Sequence, residues 1–213
     1  MLKINILGDS ITEGLFASSK EKGYVNQLAK LLNAEIRNYG KCGTRMTRRP
    51  MCYSDNPCDD LYFVTRVKSM NHDADYMIVF GGTNDYGRTN APLGKMGDKT
   101  VDTFYGAMYL LIEALLKHYE KEQIIFISPL YREDEDQEFD VGKPNYRGSL
   151  SRIREAMKEL CDEYQIDYLD IKDKIGKAEK NPLLEDGLHP NDKGHLLLAE
   201  LIRDYIVKKQ LTR

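Results

Sequence analysis

Short apolar runs alternate with helical periodicities along the whole chain. Five runs have the character of strands, at residues 3–7, 34–38, 75–80, 123–128 and 167–170. Apolar positions recur at three- and four-residue steps between or after these runs, at residues 24–32, 61–69, 102–119, 149–164 and 193–207. The alternation predicts an α/β fold with a mainly parallel sheet.

Three segments show neither the strand-like runs nor the helical periodicity, and each of them follows a predicted strand. They cover residues 44–59, 86–99 and 131–146. Loops after the strands of an open α/β sheet lie at its carboxyl edge, where such proteins bind ligands. We therefore expect the functional residues at this edge. The acidic run at residues 133–138 is expected to be a solvated loop tip.

The amino-acid composition limits the kinds of molecule that the protein is expected to bind. The chain has 213 residues, with 31 basic and 34 acidic side chains and a net charge of -3, so no overall field favours nucleic acid or an anionic membrane. No apolar run approaches the roughly 20 residues of a membrane-spanning helix. Without a repeat or linker, residues 1–213 are expected to form one domain. The four cysteines lack zinc-site spacing, and no signal-peptide pattern opens the sequence, so a cytoplasmic location is expected.

The first candidate motif directly follows the first predicted strand and includes Gly8, Asp9 and Ser10. A serine at a strand-to-helix junction lies beside unpaired backbone N–H groups, which suits a nucleophile whose attack generates an oxyanion. The same serine could merely cap a helix. By itself, this motif does not distinguish a nucleophilic serine from a serine that caps a helix.

The second motif pairs Asp186 with His189 near the C-terminus. A catalytic serine needs a base, and the imidazole needs a carboxylate that selects its tautomer. A simple turn is the alternative interpretation, and the turn could also present the histidine. The other histidines are weaker candidates, since His72 and His118 precede predicted strands at the opposite edge and His195 lies within the last predicted helix.

Two further motifs could supply oxyanion donors. Asn84 follows two glycines after the buried strand at residues 75–80, and its amide is a neutral donor. The alternative is an Asn-Asp turn. After the second strand come Gly40 and Gly43, either of which could offer a backbone N–H.

Together and in this order, the four segments resemble the GDSL esterases and lipases, also called the SGNH hydrolase superfamily. The resemblance implies that Ser10 is the nucleophile and that Asp186 and His189 complete a triad. It implies an oxyanion hole formed by the N–H groups of Ser10 and Gly43 and the side chain of Asn84. It also implies a three-layer, flavodoxin-like α/β/α fold around a five-stranded parallel sheet, and chemistry without a metal or organic cofactor.

The loops give a hint about the substrate. Many of their side chains are polar or aromatic: Arg45, Arg48, Arg49, Tyr53, Asp55, Tyr86, Arg88 and Tyr131. Such walls suit a sugar or another polar alcohol better than a long acyl chain, although these side chains could simply face solvent. The residues expected to contact the substrate are Asp9, Arg45, Asp85 and Tyr86. We expect an acetylesterase acting on a carbohydrate or small molecule, with a lysophospholipase or thioesterase as the alternative.

The sequence disfavours two other classes of protein. A non-catalytic binding module with this fold would be expected to have lost at least one of Ser10, Asn84, Asp186 and His189, and all four are present. A nucleotide-binding protein is disfavoured because neither a G-x-x-x-x-G-K-[ST] motif nor a strand-linked G-x-G-x-x-G motif occurs.

Overall fold

The computed structural model describes residues 1–48, 61–87, 91–175 and 182–212. Five strands form one parallel sheet in the order β2-β1-β3-β4-β5. Their bounds are Lys3–Gly8 (β1), Glu35–Gly40 (β2), Tyr76–Phe80 (β3), Ile124–Ile127 (β4) and Asp167–Leu169 (β5). This is the flavodoxin-like strand order, and all five predicted strands are confirmed.

Seven α-helices occur in the described ranges. They are Ser10–Glu13 (α1), Tyr24–Leu32 (α2), Phe63–Val67 (α3), Thr83–Gly87 (α4), Phe104–Leu115 (α5), Leu150–Tyr164 (α6) and Asp192–Leu211 (α7). The five predicted helices correspond to α2, which has the predicted bounds, and to α3, α5, α6 and α7, in which one or both ends are shifted. The shifts have local causes: Thr103 and Ser149 are not helical but cap α5 and α6, accepting hydrogen bonds from Gly106 N–H and Arg152 N–H.

Both faces of the sheet are covered by helices, which explains why β3 is apolar throughout. Tyr76, Ile78 and Phe80 point into a core shared with α2 and α7, whereas Met77 and Val79 point into a core shared with α3, α5 and α6. A strand buried on both faces reads as a continuous apolar run. The three-layer α/β/α prediction is confirmed.

Five of the six residues in the acidic run at 133–138 are exposed, as predicted for a solvated loop tip, and Glu135 is the exception. Glu135 is buried, and its carboxylate lies 2.8 Å from the guanidinium of Arg154 on α6. Arg154 also donates to the carbonyl oxygens of Pro129 and Leu130, at 3.0 and 2.7 Å. The run therefore includes an internal ion pair that attaches the loop after β4 to α6. A charged residue with a distant partner is indistinguishable from a solvated one in the sequence.

Across the described ranges, no helix combines the length and apolar character needed to span a lipid bilayer.

Candidate active site

Ser10 lies where β1 ends and α1 begins. The carboxylate of Asp9 accepts a hydrogen bond from Ile11 N–H at 3.0 Å and so caps α1, leaving Ser10 as the first helical residue. Gly8 permits the sharp transition, because a Cβ there would lie 2.0 Å from the hydroxyl of Thr12. The serine hydroxyl is thereby presented at the carboxyl edge of the sheet.

A hydrogen-bonded chain of three side chains joins the two ends of the sequence. Ser10 Oγ lies 2.9 Å from His189 Nε2, although the residues are 179 positions apart. On the other side of the ring, His189 Nδ1 lies 2.7 Å from Asp186 Oδ2. With the proton on Nδ1, the ring donates to the carboxylate and Nε2 accepts from the serine. This is the arrangement of a nucleophile, its base and an orienting carboxylate.

The turn around Asp186 determines the direction of the imidazole. Asp186 Oδ1 accepts from the backbone N–H groups of Leu188 and His189, at 3.1 and 2.8 Å. Gly187 between them adopts a φ of +80°, which favours glycine. Partial burial acts to raise the pKa of Asp186, but the hydrogen bonds from His189 and Leu188 outweigh it and lower the pKa below the ordinary value. The carboxylate is therefore charged in the neutral range, as an orienting group must be.

Asn84, on α4, is attached to the loop after β2. Its side-chain amide donates to Thr44 O at 3.0 Å, and the amide has a second N–H hydrogen with which it could donate to a substrate. The guanidinium of Arg66 donates to both Gly8 O and Thr44 Oγ1, at 3.0 and 2.9 Å. These bonds connect the end of β1, the loop after β2 and α4, and they bring Asn84 and Gly43 to the same edge as Ser10.

The structure separates the roles of the two glycines after β2. The N–H of Gly40 donates to Asn38 Oδ1 at 2.7 Å, and a Cβ at Gly40 would lie 2.2 Å from the backbone nitrogen of Glu13. Gly40 therefore serves the close approach of β2 to α1. The N–H of Gly43 has no acceptor among the described residues, and Gly43 adopts a φ of +75°. Of the two glycines, Gly43 is the one able to donate to a ligand.

Asp85 supports the loop that carries Gly43. Its carboxylate accepts from Met46 N–H at 3.0 Å, from Thr47 N–H at 2.9 Å and from Thr47 Oγ at 2.7 Å. Burial raises the pKa of Asp85, and the hydrogen bonds from Thr47 and Met46 oppose that rise. Both carboxylate oxygens thus bond to the loop in this structure.

The other three predicted substrate contacts are also buried and bonded within the protein. Asp9 caps α1; burial, with a smaller contribution from nearby Asp85, raises its pKa to about 7. The guanidinium of Arg45 donates to Gly43 O at 3.2 Å. Tyr86 donates its hydroxyl hydrogen to the carbonyl oxygen of Asp134. In this structure all four predicted substrate contacts, Asp9, Arg45, Asp85 and Tyr86, shape the loops around the site.

The remaining loop candidates are dispersed. Arg48 forms an exposed ion pair with Asp102, with Nε 2.8 Å from Oδ1. Tyr131 is partly exposed in the loop after β4. Four of them fall outside the described residues: Arg49, Tyr53, Asp55 and Arg88.

The other histidines are remote from Ser10 chemistry. His72 and His118 stack on each other before β3 and β4, with ring centroids 3.7 Å apart. His195 is buried in α7, where its ring hydrogen-bonds Leu15 O at 3.1 Å and Tyr24 N–H at 3.3 Å. No group of three or more metal-ligating side chains occurs in the part of the chain that the structure describes.

Phe16 was not singled out from the sequence. Its ring lies beside His189, with ring centroids 5.5 Å apart, and its φ is +63°. An aromatic residue in a short polar loop gives no periodic signal, so only its position just after the Ser10 helix could have drawn attention to it.

Comparisons with known proteins identify the family and support the fold. The profile of the GDSL-like Lipase/Acylhydrolase family matches residues 6–197. A protein of known structure from Lactobacillus plantarum is 26% identical, with a TM-score of 0.75 and 97% of each chain covered. No curated protein matches the chain.

Two more distant structures support the fold. A lipase/acylhydrolase from Enterococcus faecalis is 21% identical, with a TM-score of 0.67 over 97% of this chain and 95% of that one. A member of the lipolytic protein G-D-S-L family from Veillonella parvula is 20% identical, with a TM-score of 0.63 over 96% and 97%. Since the family profile matches nearly the whole sequence, the chain belongs to the GDSL-like lipase/acylhydrolase family.

Proposed function

We propose that this protein is a serine esterase that hydrolyses short-chain acyl esters through an acyl-enzyme on Ser10. The observation that carries the proposal is the chain from Ser10 Oγ to His189 Nε2 at 2.9 Å and from His189 Nδ1 to Asp186 Oδ2 at 2.7 Å. A serine hydroxyl is a weak nucleophile unless a base removes its proton, and this arrangement supplies the base.

In the acylation step, Ser10 Oγ forms a bond to the ester carbonyl carbon while His189 Nε2 takes the hydroxyl proton. The carbonyl oxygen becomes an oxyanion, and its donors would be the N–H groups of Ser10 and Gly43 and the side chain of Asn84. The bond from the carbonyl carbon to the alkoxy oxygen then breaks. His189 Nε2 gives its proton to that oxygen, and the alcohol leaves.

In the deacylation step, water attacks the acyl-enzyme while His189 Nε2 takes one of its protons. The bond to Ser10 Oγ breaks, the acid is released, and the serine regains its proton. Asp186 stabilises the imidazolium in both steps without itself accepting a proton. The proposed chemistry needs no metal or organic cofactor, so chelators should leave the rate unchanged.

For the substrate, we propose an acetyl or similarly short acyl ester of a carbohydrate or another small polar alcohol. The support is the chemistry of the loops, which are mostly polar or aromatic. A lipolytic or thioesterase activity is the second candidate. It is favoured by two apolar side chains near His189, Leu15 at 40% and Phe16 at 45% exposure.

The nucleophile is tested by labelling with a small organophosphonate, followed by intact mass and peptide mapping. We expect one adduct on Ser10, and none in Ser10→Ala. Ser128→Ala is the matched control, since Ser128 is buried and its hydroxyl donates to Asp170 at 3.0 Å. Labelling that persists in Ser10→Ala, or a folded wild-type protein that is never labelled, would contradict the assignment.

The acyl preference is tested with aryl esters of increasing chain length, with and without EDTA. We expect the highest kcat/KM for acetyl or propionyl esters and a sharp fall by octanoyl. A rate that rises toward long chains would favour the lipolytic candidate.

The cytoplasmic location stays a prediction, which fractionation of producing cells would test.

A further inference from the structure

A shallow cleft opens beside the turn that carries His189, and none of the proposed oxyanion donors lines it. Its lining residues come from the loop after α1 and from both sides of the His189 turn: Phe16, Ala17, Ser18, Pro182, Glu185, Asn191, Asp192 and Lys193. The cleft adjoins the turn directly, since Glu185 N–H donates to His189 O at 2.8 Å. Phe16, which lines the cleft, also has its ring centroid 5.5 Å from that of His189, so the cleft and the imidazole share this side chain as a neighbour.

The loop that carries Phe16 is fastened to α7 at two points. His195 donates its Nε2 hydrogen to Leu15 O at 3.1 Å, just before Phe16. Asp192 accepts from both the backbone N–H and the hydroxyl of Ser18, at 2.8 and 2.7 Å, just after it. Both supports come from the first turn of the helix that follows the His189 turn. The position of Phe16 relative to His189 is thus determined by one rigid element.

Phe16 itself occupies an unfavourable state. Its φ of +63° lies in the left-handed region, which bulky residues rarely adopt, and 45% of its surface is exposed. An exposed aromatic in a strained backbone conformation contributes little to the core. Strain of this kind persists only where surrounding contacts enforce it, and it concentrates at functional sites.

The mechanism determines which part of an ester lies here. The alkoxy oxygen must come within hydrogen-bond distance, about 3 Å, of His189 Nε2 to receive its proton. The acyl oxygen faces Gly43 and Asn84 instead. The alcohol therefore extends past the imidazole, and the Phe16 ring, with its centroid 5.5 Å from that of the imidazole, offers it an apolar surface.

We propose that this cleft binds the leaving alcohol, with Phe16 as its apolar face and Glu185 as an acceptor for its hydroxyl groups. The inference rests on the proposed esterase function and adds an alcohol site to it. A ring-shaped, polyhydroxylated alcohol such as a sugar fits both features. Its C–H face can lie on an aromatic ring, and its hydroxyls can donate to a carboxylate. Glu185 is exposed, and its carboxylate has no partner among the described residues.

The test keeps the acyl group constant and changes the alcohol. The kcat/KM values of an acetylated methyl glycoside and of ethyl acetate are measured for wild type, Phe16→Asn, Phe16→Tyr and Glu185→Gln. Asparagine tolerates a positive φ, so Phe16→Asn removes the ring without adding backbone strain. Leu196→Ala is the control, because Leu196 is 40% exposed on α7 and lies outside the cleft.

The quantity compared is the kcat/KM for the acetylated methyl glycoside divided by the kcat/KM for ethyl acetate. We expect this ratio to fall roughly tenfold in Phe16→Asn and a few-fold in Glu185→Gln. It should be unchanged in Phe16→Tyr and Leu196→Ala. The free methyl glycoside should inhibit wild type competitively and Phe16→Asn less. An equal loss on both esters, or unchanged inhibition, would overturn the alcohol site while leaving the esterase intact. A wild type that hydrolyses neither ester would overturn the proposed function as well.

Discussion

His189 and the proposed oxyanion donors are positioned in opposite ways at the same edge of the sheet. The His189 turn is local, because Asp186 bonds to the imidazole and to two backbone N–H groups within three residues. The oxyanion side is assembled over long range, because Asn84 and Asp85 bond to residues about 40 positions earlier in the chain. One half of the site is therefore encoded by a short motif, and the other half by the packing of separate loops.

The two carboxylates show the same contrast. Asp186 is partly exposed, and the hydrogen bonds from its own turn lower its pKa against the effect of burial. Asp85 is buried, and burial raises its pKa despite three hydrogen bonds. The exposed carboxylate is suited to stabilise a charge that appears during catalysis. The buried one is suited to hold a loop in place.

Among variants that keep the Ser10 hydroxyl, the largest effect is expected from Asp186→Asn. Asparagine retains an oxygen for the Leu188 and His189 N–H groups, so the turn should survive, but its amide would favour the wrong imidazole tautomer. We expect kcat/KM to fall about 10³- to 10⁴-fold with the fold intact. Ester hydrolysis kinetics and circular dichroism would measure both.

Two controls accompany this variant. The loss in Asp186→Asn should not exceed that in Ser10→Ala, and the double variant should be far from additive, since the residues act as one unit. Near wild-type activity in Asp186→Asn would show that His189 does not depend on this carboxylate.

The next largest effect is expected from Asn84→Ala on the long-range side. An oxyanion donor acts mainly in the transition state, so kcat should fall roughly 10²- to 10³-fold with little change in KM. Steady-state kinetics on an acetyl ester separates the two parameters. A change confined to KM would make Asn84 a ground-state binding residue or part of a turn.

Asp85→Asn tests whether the loop support matters separately from the chemistry. The amide would face Met46 N–H donor to donor, which should lower the free energy of unfolding by ~1–3 kcal/mol. The kcat of Asp85→Asn should also fall, because the loop that carries Gly43 would be displaced. This loss of activity should be smaller than the loss in Asn84→Ala. Urea unfolding would measure the change in stability, and steady-state kinetics would measure the change in activity.

Thr47→Val is the matched control for Asp85→Asn. It removes the hydrogen bond that the Thr47 hydroxyl donates to Asp85 and leaves the carboxylate in place. Its losses of stability and activity should be the smaller ones. If Asp85→Asn lowered activity as much as Asn84→Ala at unchanged stability, the supporting role would be wrong.

The smallest effect on activity is expected for the buried carboxyl of Asp9, whose titration affects the pH dependence of stability. Its folded pKa of about 7 lies above the ordinary 3.8, so folding favours the protonated form and stability is lost as pH rises between those values. Asp9→Asn keeps a capping side chain and removes the titration. The stability of the variant relative to wild type should increase by about 4 kcal/mol as pH rises through this window. Urea unfolding across the window measures it, and a flat difference would contradict the burial argument.

Much of the fold could be predicted because its signals are periodic and local. The five strands appear in the sequence as short apolar runs, and five of the described helices appear as apolar positions at three- and four-residue steps. The short helices α1 and α4 do not, because apolar positions do not recur at helical steps within them, and these helices carry Ser10 and Asn84. Both residues were found instead by their motifs.

The sequence by itself determined the parallel α/β architecture, the Asp186–His189 turn and the candidate nucleophile, because each depends on residues close together in the chain. Only the tertiary structure decided that Gly40 packs closely against α1, while the N–H of Gly43 has no acceptor among the described residues. It alone decided that Asp85 supports a loop and that Phe16 lies beside His189. The physical reason is that a hydrogen bond or ring contact between distant segments depends on how the chain brings them together, and a side chain carries no mark of its partner.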